Sequence, residues 1–139
     1  MFDLSIILAT KNEEKNLINF FSFLNKKKDN IEIIIVDNNS TDKTLEIASR
    51  YLKKKNIITL NNAKNYLNPR GKQINIGVDR CNSDNIFFPD ADMIFNYDLL
   101  EEAIKKLKVC DALYVPEKIN NDSFFGNIRN FERSFYNFT

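Results

Sequence analysis

Short apolar runs recur along the chain, and longer stretches with an apolar residue every three or four positions separate them. Leu4–Ala9 (LSIILA), Glu32–Val36 (EIIIV), Ile57–Leu60 (IITL), Asn85–Phe88 (NIFF) and Ala112–Val115 (ALYV) are the runs. Each is too short for a helix and apolar on both faces, which predicts a buried strand. Between the first two, Asn12–Lys28 carries Leu17, Phe20, Phe21 and Leu24 at helical spacing. After the second, Ser40 or Thr41 can cap a helix that has Asp42 in its first turn and Leu45, Ile47, Ala48, Tyr51 and Leu52 on its apolar side. Gly71–Cys81 predicts a third helix with Ile74, Ile76 and Val78 inward. Asn96 is placed to cap a fourth, which runs to about Lys108 through Leu99, Leu100, Ala103, Ile104 and Leu107. Near the end, Phe124, Ile128, Phe131, Phe135 and Phe138 recur at helical spacing, with Phe125 and Tyr136 beside them.

Apolar strands that alternate with helices predict a parallel α/β sheet covered on both faces. Right-handed crossovers then bring every strand's carboxyl end to one edge, where such sheets bind ligands. Three polar clusters fall at that edge: TKNE after the first strand, DNNSTD after the second and DAD after the fourth. A polar loop, NNAKNYLNPR, leads from the third strand to Gly71.

Composition narrows the chemistry. The 139 residues suffice for one domain with a core, and 43% hydrophobic with 28% charged residues is ordinary for a globular chain. Twenty basic and nineteen acidic side chains leave a net charge of +1, which argues against a nucleic-acid partner. Lys26–Lys28 and Lys53–Lys55 sit near predicted helix ends, where positive charge suits the dipole; a membrane-surface patch is the other reading. Cys81 and Cys110 read as buried free thiols of a reducing compartment. No histidine is present, so a bound metal would be a hard cation held by oxygen. Asp3 interrupts the first apolar run, so no signal peptide is read, and no run approaches the roughly 20 residues of a membrane span.

In FFPDADMIF, Phe87–Phe95, an apolar run stops at Pro89, and Asp90 and Asp92 follow with only Ala91 between them. In extended chain these carboxylates point the same way and repel unless a cation lies between them. Mg²⁺ or Mn²⁺, its shell completed by substrate phosphates, satisfies that demand; decoration of a turn before the next helix is the alternative. Asp37 can accept hydrogen bonds from a nucleobase or ribose, or can close an Asx turn. Thr10, Lys11, Asn12 and Glu13 either border a ligand or begin a helix, and Arg70 and Lys72 flank Gly71 in an arrangement suited to a phosphate or a base.

Taken in order, SIILATKNEEKNL, IEIIIVDNNSTDKTLEIA and RGKQINIGVDRCNSDNIFFPDAD resemble the family 2 glycosyltransferases over about Asp3 to Val115. The resemblance implies a GT-A, Rossmann-like α/β/α sandwich with a mostly parallel central sheet. It implies a nucleotide-diphosphate sugar, a divalent metal (Mg²⁺ or Mn²⁺) and inversion at the anomeric carbon. By that resemblance Thr10, Glu13 and Asp37 line the nucleoside pocket, Lys72 lies close by, and Lys11, Asn38 and Ala91 belong to the substrate-binding set. Asp90 lies near the ribose and the metal, and Asp92 is the main metal ligand. Asn38 stands where many members carry a second aspartate. The family's catalytic base lies downstream of the D-x-D element, and Glu117, Asp122 and Glu132 sit in no base motif.

The expectation is therefore a single nucleotide-sugar-binding domain over 1–139, cut off after the half that binds the sugar donor. It comprises a core over 1–115 and an aromatic-rich helical tail over 116–139. The function expected is glycosyl transfer to an acceptor hydroxyl, on a glycan or lipid-linked glycan. The alternative is a non-catalytic nucleotide-sugar-binding module from a split or degenerate transferase. A nucleotidyltransferase would want a richer glycine loop than three glycines supply, and a glycosidase would want carboxylates farther apart. The Phe124–Phe138 stripe reads first as core of a complete domain. At the end of a half-domain it anticipates the missing half on a second polypeptide, a second copy or a membrane surface, and the location anticipated is cytoplasmic, including the cytoplasmic face of a membrane.

Overall fold

The computed structural model describes residues 2–24, 30–60, 68–95, 97–116, 118 and 123–134. They form two compact units, Met1–Lys105 and Lys106–Thr139. In the first, β1 (Leu4–Thr10), α1 (Glu14–Leu24), β2 (Ile31–Asp37), α2 (Thr44–Tyr51), β3 (Ile57–Thr59), α3 (Pro69–Val78) and β4 (Ile86–Phe87) follow in turn, and α4 (Tyr97–Lys106) closes the series. The four strands make one sheet of order β3-β2-β1-β4, and every neighbouring pair is parallel.

Strand alternation sorts the core into two layers. Leu4, Ile6 and Leu8 of β1 and Ile33 and Ile35 of β2 join one apolar cluster with Leu17, Phe20, Phe21 and Leu24 of α1, Ile47 and Ala48 of α2 and Leu100 of α4. Each large side chain fully buried there contributes about 1.5–3 kcal/mol. The ring of Phe21 stacks on Tyr51, with centroids 4.3 Å apart, and Phe20 and Phe87 both meet Phe95 edge-on. On the other face α3 lies so close to β1 that a Cβ on Gly77 would stand 2.3 Å from Cγ2 of Ile7. A glycine inside a helix costs roughly 1 kcal/mol, and here the close approach requires it.

Glu32 is a buried charge within β2. Its carboxylate accepts from Ser5 Oγ at 2.9 Å, from the Asn82 backbone N–H at 2.8 Å and from Asn82 Nδ2 at 2.7 Å, so desolvation is offset by three hydrogen bonds.

Several expectations need correction. Ala112–Val115 forms no strand: Ala112, Leu113 and Tyr114 are exposed and pair with no other chain segment in a ladder. Apolarity makes a strand possible, but only a neighbouring edge makes it real. Helix α3 starts earlier than expected because Pro69 suits a first turn and the Asn68 side chain accepts from the Gly71 N–H at 2.9 Å. Its buried residues are Gln73 and Gly77, whereas Ile74 and Ile76 are half-buried and Val78 is exposed. Neither Ser40 nor Thr41 caps α2, which begins only at Thr44 with no side-chain cap. The two cysteines are free, as expected, but Cys110 is exposed and Cys81 half-buried.

In the second unit, α5 (Phe124–Ser134) is helical as the stripe predicts, and Phe124, Phe125 and Phe131 are each about two-thirds exposed or more. Phe135, Tyr136, Phe138, Glu117, Asp122, the Asn96 cap and Lys26–Lys28 lie outside the described residues. No helix among the described residues is long and apolar enough to cross a membrane.

Candidate active site

Because all four strands run the same way, Thr10, Asp37 and the segment after Phe87 emerge at one edge of the sheet. Thr10 and Asp37 are the last register pair of β1 and β2. The Thr10 hydroxyl donates to Asp37 Oδ1 at 3.0 Å. Ser40 covers the same carboxylate, its N–H donating to Oδ2 at 2.8 Å and its hydroxyl to Oδ1 at 2.5 Å. Asp37 thus closes an Asx-type turn. Both it and Thr10 lie beneath the surface of the rim rather than facing open space, and Asn38 beside them is also buried. The Asn38 N–H donates to the Thr10 carbonyl at 2.9 Å.

The loops after β1 and β2 are laced together. The backbone N–H groups of Asn12, Glu13 and Glu14, at the open start of α1, donate to Ser40 Oγ, Thr44 Oγ1 and Asp42 Oδ2 respectively. In return the Thr41 N–H donates to Asn12 Oδ1, and the Lys43 N–H donates to Glu14 Oε2. The start of α1 is therefore satisfied by the neighbouring loop and not left for an anion. Asn12 and Asn39 adopt φ of 55° and 52°, left-handed conformations that asparagine tolerates better than most residues. Burial opposes ionisation of Asp42, but hydrogen bonds from the Thr44 hydroxyl and from the Thr44 and Glu14 N–H groups outweigh it and hold the carboxyl below its ordinary value. Glu13 is half-buried and accepts from Asn16 Nδ2 at 2.7 Å, while Lys11 is exposed.

After β4, Pro89 and Ala91 are buried, Asp90 is half-exposed and Asp92 is exposed. Arg70, in the first turn of α3, forms an ion pair with Asp90. The structure brings the PRGKQ and DAD segments together through that contact, and Lys72 lies exposed on the same turn of α3. No group of three or more acidic or cysteine ligands able to hold a metal occurs among the described residues. The oxygen chemistry of Asp90 and Asp92 still fits a hard cation that takes few protein ligands and completes its shell with phosphate and water. With Asp90 matched by Arg70, Asp92 is the carboxylate left facing solvent.

Sequence reasoning passed over Gln73. Its Nε2 donates to the Thr10 carbonyl at 2.9 Å and to the Val36 carbonyl at 2.6 Å, across the ends of both central strands. A glutamine four residues before a helix-packing glycine was the available signal.

A parallel sheet whose binding edge carries a buried aspartate, a D-x-D turn and a basic helix start defines a GT-A-type fold. The chain belongs to glycosyltransferase family 2: that family's model, Glycosyl transferase family 2, matches residues 5–138. Poly(ribitol-phosphate) beta-N-acetylglucosaminyltransferase TarS of Staphylococcus aureus is 31% identical over 106 residues, a match covering 74% of this chain and 18% of TarS. A dolichyl N-acetyl-alpha-D-glucosaminyl phosphate 3-beta-D-2,3-diacetamido-2,3-dideoxy-beta-D-glucuronosyltransferase of Methanococcus voltae is 35% identical over 116 residues, covering 74% of this chain and 35% of that protein. The crystal structure of S. aureus TarS 1-349 aligns with a TM-score of 0.66 at 25% identity, over 88% of this chain and 40% of the other. The same TarS fragment in complex with UDP-GlcNAc aligns at 0.64 with 24% identity, over 88% of this chain and 39% of the other, a likeness of fold. This chain spans less than half the length of each of these relatives.

Proposed function

We propose that this chain binds a nucleotide-diphosphate sugar for metal-dependent transfer, with inversion, to an acceptor hydroxyl. The observation that carries the reading is the placement of the Thr10–Asp37 pair and the Asp90-Ala91-Asp92 turn, with Arg70, on one sheet edge. Thr10, Glu13, Asp37 and Asn38 form the nucleoside end of this edge, flanked by Lys11. Arg70 and Lys72 supply positive charge near the diphosphate, and Asp90 and Ala91 border the ribose. Asp92, with Asp90 secondary, would hold Mg²⁺ or Mn²⁺, which supplies charge neutralisation for the departing diphosphate. The chain's own part is to hold the sugar donor in one orientation, so that an acceptor hydroxyl meets the anomeric carbon from the opposite side. The two free cysteines support a cytoplasmic setting, and the exposed rings of α5 support a covering partner.

Calorimetric titration with a panel of nucleotide sugars, with and without Mn²⁺, tests the reading. Binding that requires Mn²⁺ and is lost in Asp92→Asn is the expected result, and unchanged binding in that variant removes Asp92 as a ligand. Sugar transfer or donor hydrolysis by the chain supports catalysis. Binding without turnover, with turnover restored by a second polypeptide, supports the binding-module alternative.

A further inference from the structure

We infer that Gln73 is a positioning residue for the nucleoside end of the site, acting through the strand ends and not through contact with nucleotide. The inference rests on the proposed nucleotide-sugar reading.

The packing of α3 puts Gln73 where it is. Gly77 lets the helix settle onto Ile7, and Gln73, one turn earlier on the same face, then lies over the carboxyl ends of β1 and β2. The side chain is buried, with 4% of its surface exposed, in a position where a bare carbon chain would otherwise suffice. It spends both amide protons on backbone carbonyls, Thr10 O and Val36 O. Two acceptors fix the amide's orientation, because only its nitrogen end can serve them.

These carbonyls are the ones that aim the site. The Thr10 carbonyl belongs to the peptide that leads into Lys11, and it also accepts the Asn38 N–H. The Val36 carbonyl belongs to the peptide plane that leads into Asp37. Fixing both planes fixes the backbone on which the Thr10 hydroxyl and the Asp37 carboxylate stand 3.0 Å apart. The ladder of β1 and β2 ends at Thr10 and Asp37, whose backbones are held by the Asn38 N–H bond to the Thr10 carbonyl and by the pairing of Asp37 with Thr59 of β3; Gln73 adds a side-chain tie from α3. Gln73 is the clamp across that last pair.

The test uses the full chain with Gln73→Met, which keeps most of the bulk and removes both donors, and Gln73→Ala. Amide hydrogen exchange is read without ligand. Protection should fall selectively at Asn38 and Ser40, whose N–H groups serve Thr10 and Asp37, while Ile33 and Ile34 at mid-strand keep theirs. Binding of UDP, GDP, CDP and dTDP is then titrated against wild type. For whichever nucleotide binds, Gln73→Met should weaken affinity about tenfold. That loss should shrink in an Asp37→Asn background, while the drop in Tm is the same in both backgrounds. Uniform loss of protection, or unchanged protection at Asn38 and Ser40, overturns the inference. So does a wild-type affinity in Gln73→Met. If wild type binds none of the nucleotides, the proposed function fails on its own, and the exchange pattern alone decides whether Gln73 is the clamp.

Discussion

Arg70, at the start of α3, is ion-paired with Asp90, the first carboxylate of the D-x-D turn after β4. A basic residue from the first turn of one helix thus meets an acidic residue from the loop after the next strand. One member of the like-charged pair is matched by the protein itself, and Asp92 is left facing solvent.

Arg70→Gln tests that division of charge. Both side chains are about half exposed, so losing the pair should cost no more than about 1 kcal/mol of stability. With Asp90 unmatched, two carboxylates compete for a cation, and Mn²⁺ should raise Tm more in the variant than in wild type. Thermal scans with and without Mn²⁺ check both statements.

Gly77→Ala should destabilise the fold by about 1–3 kcal/mol, because the new methyl meets Cγ2 of Ile7 in a strand that cannot retreat. Urea unfolding of the single variant and of Gly77→Ala with Ile7→Ala measures it. Removing Cγ2 should make the double variant less destabilised than the sum of the two single changes.

Glu32→Ala should cost roughly 1–3 kcal/mol, since the buried Ser5 Oγ loses its acceptor and the exposed residue Asn82 loses two part-buried bonds that water can replace. Chemical denaturation reads the loss. The site edge lies at the opposite end of the strands, so the nucleotide titration proposed for wild type should give the same result in the surviving folded protein.

Asp42 gives the fold a pH dependence of known sign. Its carboxyl is held below the ordinary 3.8, so the folded state binds its proton more weakly than the unfolded state does. The stabilisation is therefore full above the ordinary aspartate value and is lost as pH falls through the lower folded value. Asp42→Asn should be less stable near neutral pH, and the gap to wild type should close in acid. Unfolding midpoints measured from pH 7 down to about pH 2 would show it.

How much was legible beforehand differs from element to element. Strands β1 and β2 are apolar on both faces, and that alone required helices above and below them and so a parallel sheet. The same pattern in Ala112–Val115 misled, because a run of four apolar residues carries no record of whether an edge is free to pair with it. The apolar count of α3 pointed to Ile74, Ile76 and Val78, but the helix packs by its smallest residue, so Gly77 and Gln73 face the sheet. Ser40, Thr41 and Asp42 looked like caps for their own helix, yet Ser40 and Asp42, with Thr44, serve the start of α1. Short polar side chains satisfy whichever orphan N–H is nearest in space, and sequence distance does not rank those choices.

The sequence by itself determined the alternation of elements, the shared edge for Thr10, Asp37, Asp90 and Asp92, and the family. Each follows from local periodicity or from residue order along the chain. Only the tertiary structure decided that Asp37 is roofed by Ser40, that Arg70 answers Asp90, and that Gln73 spans the ends of β1 and β2. Those are contacts between segments up to 63 residues apart. Their geometry depends on how closely α3 can approach the sheet, which is a matter of packing and not of pattern.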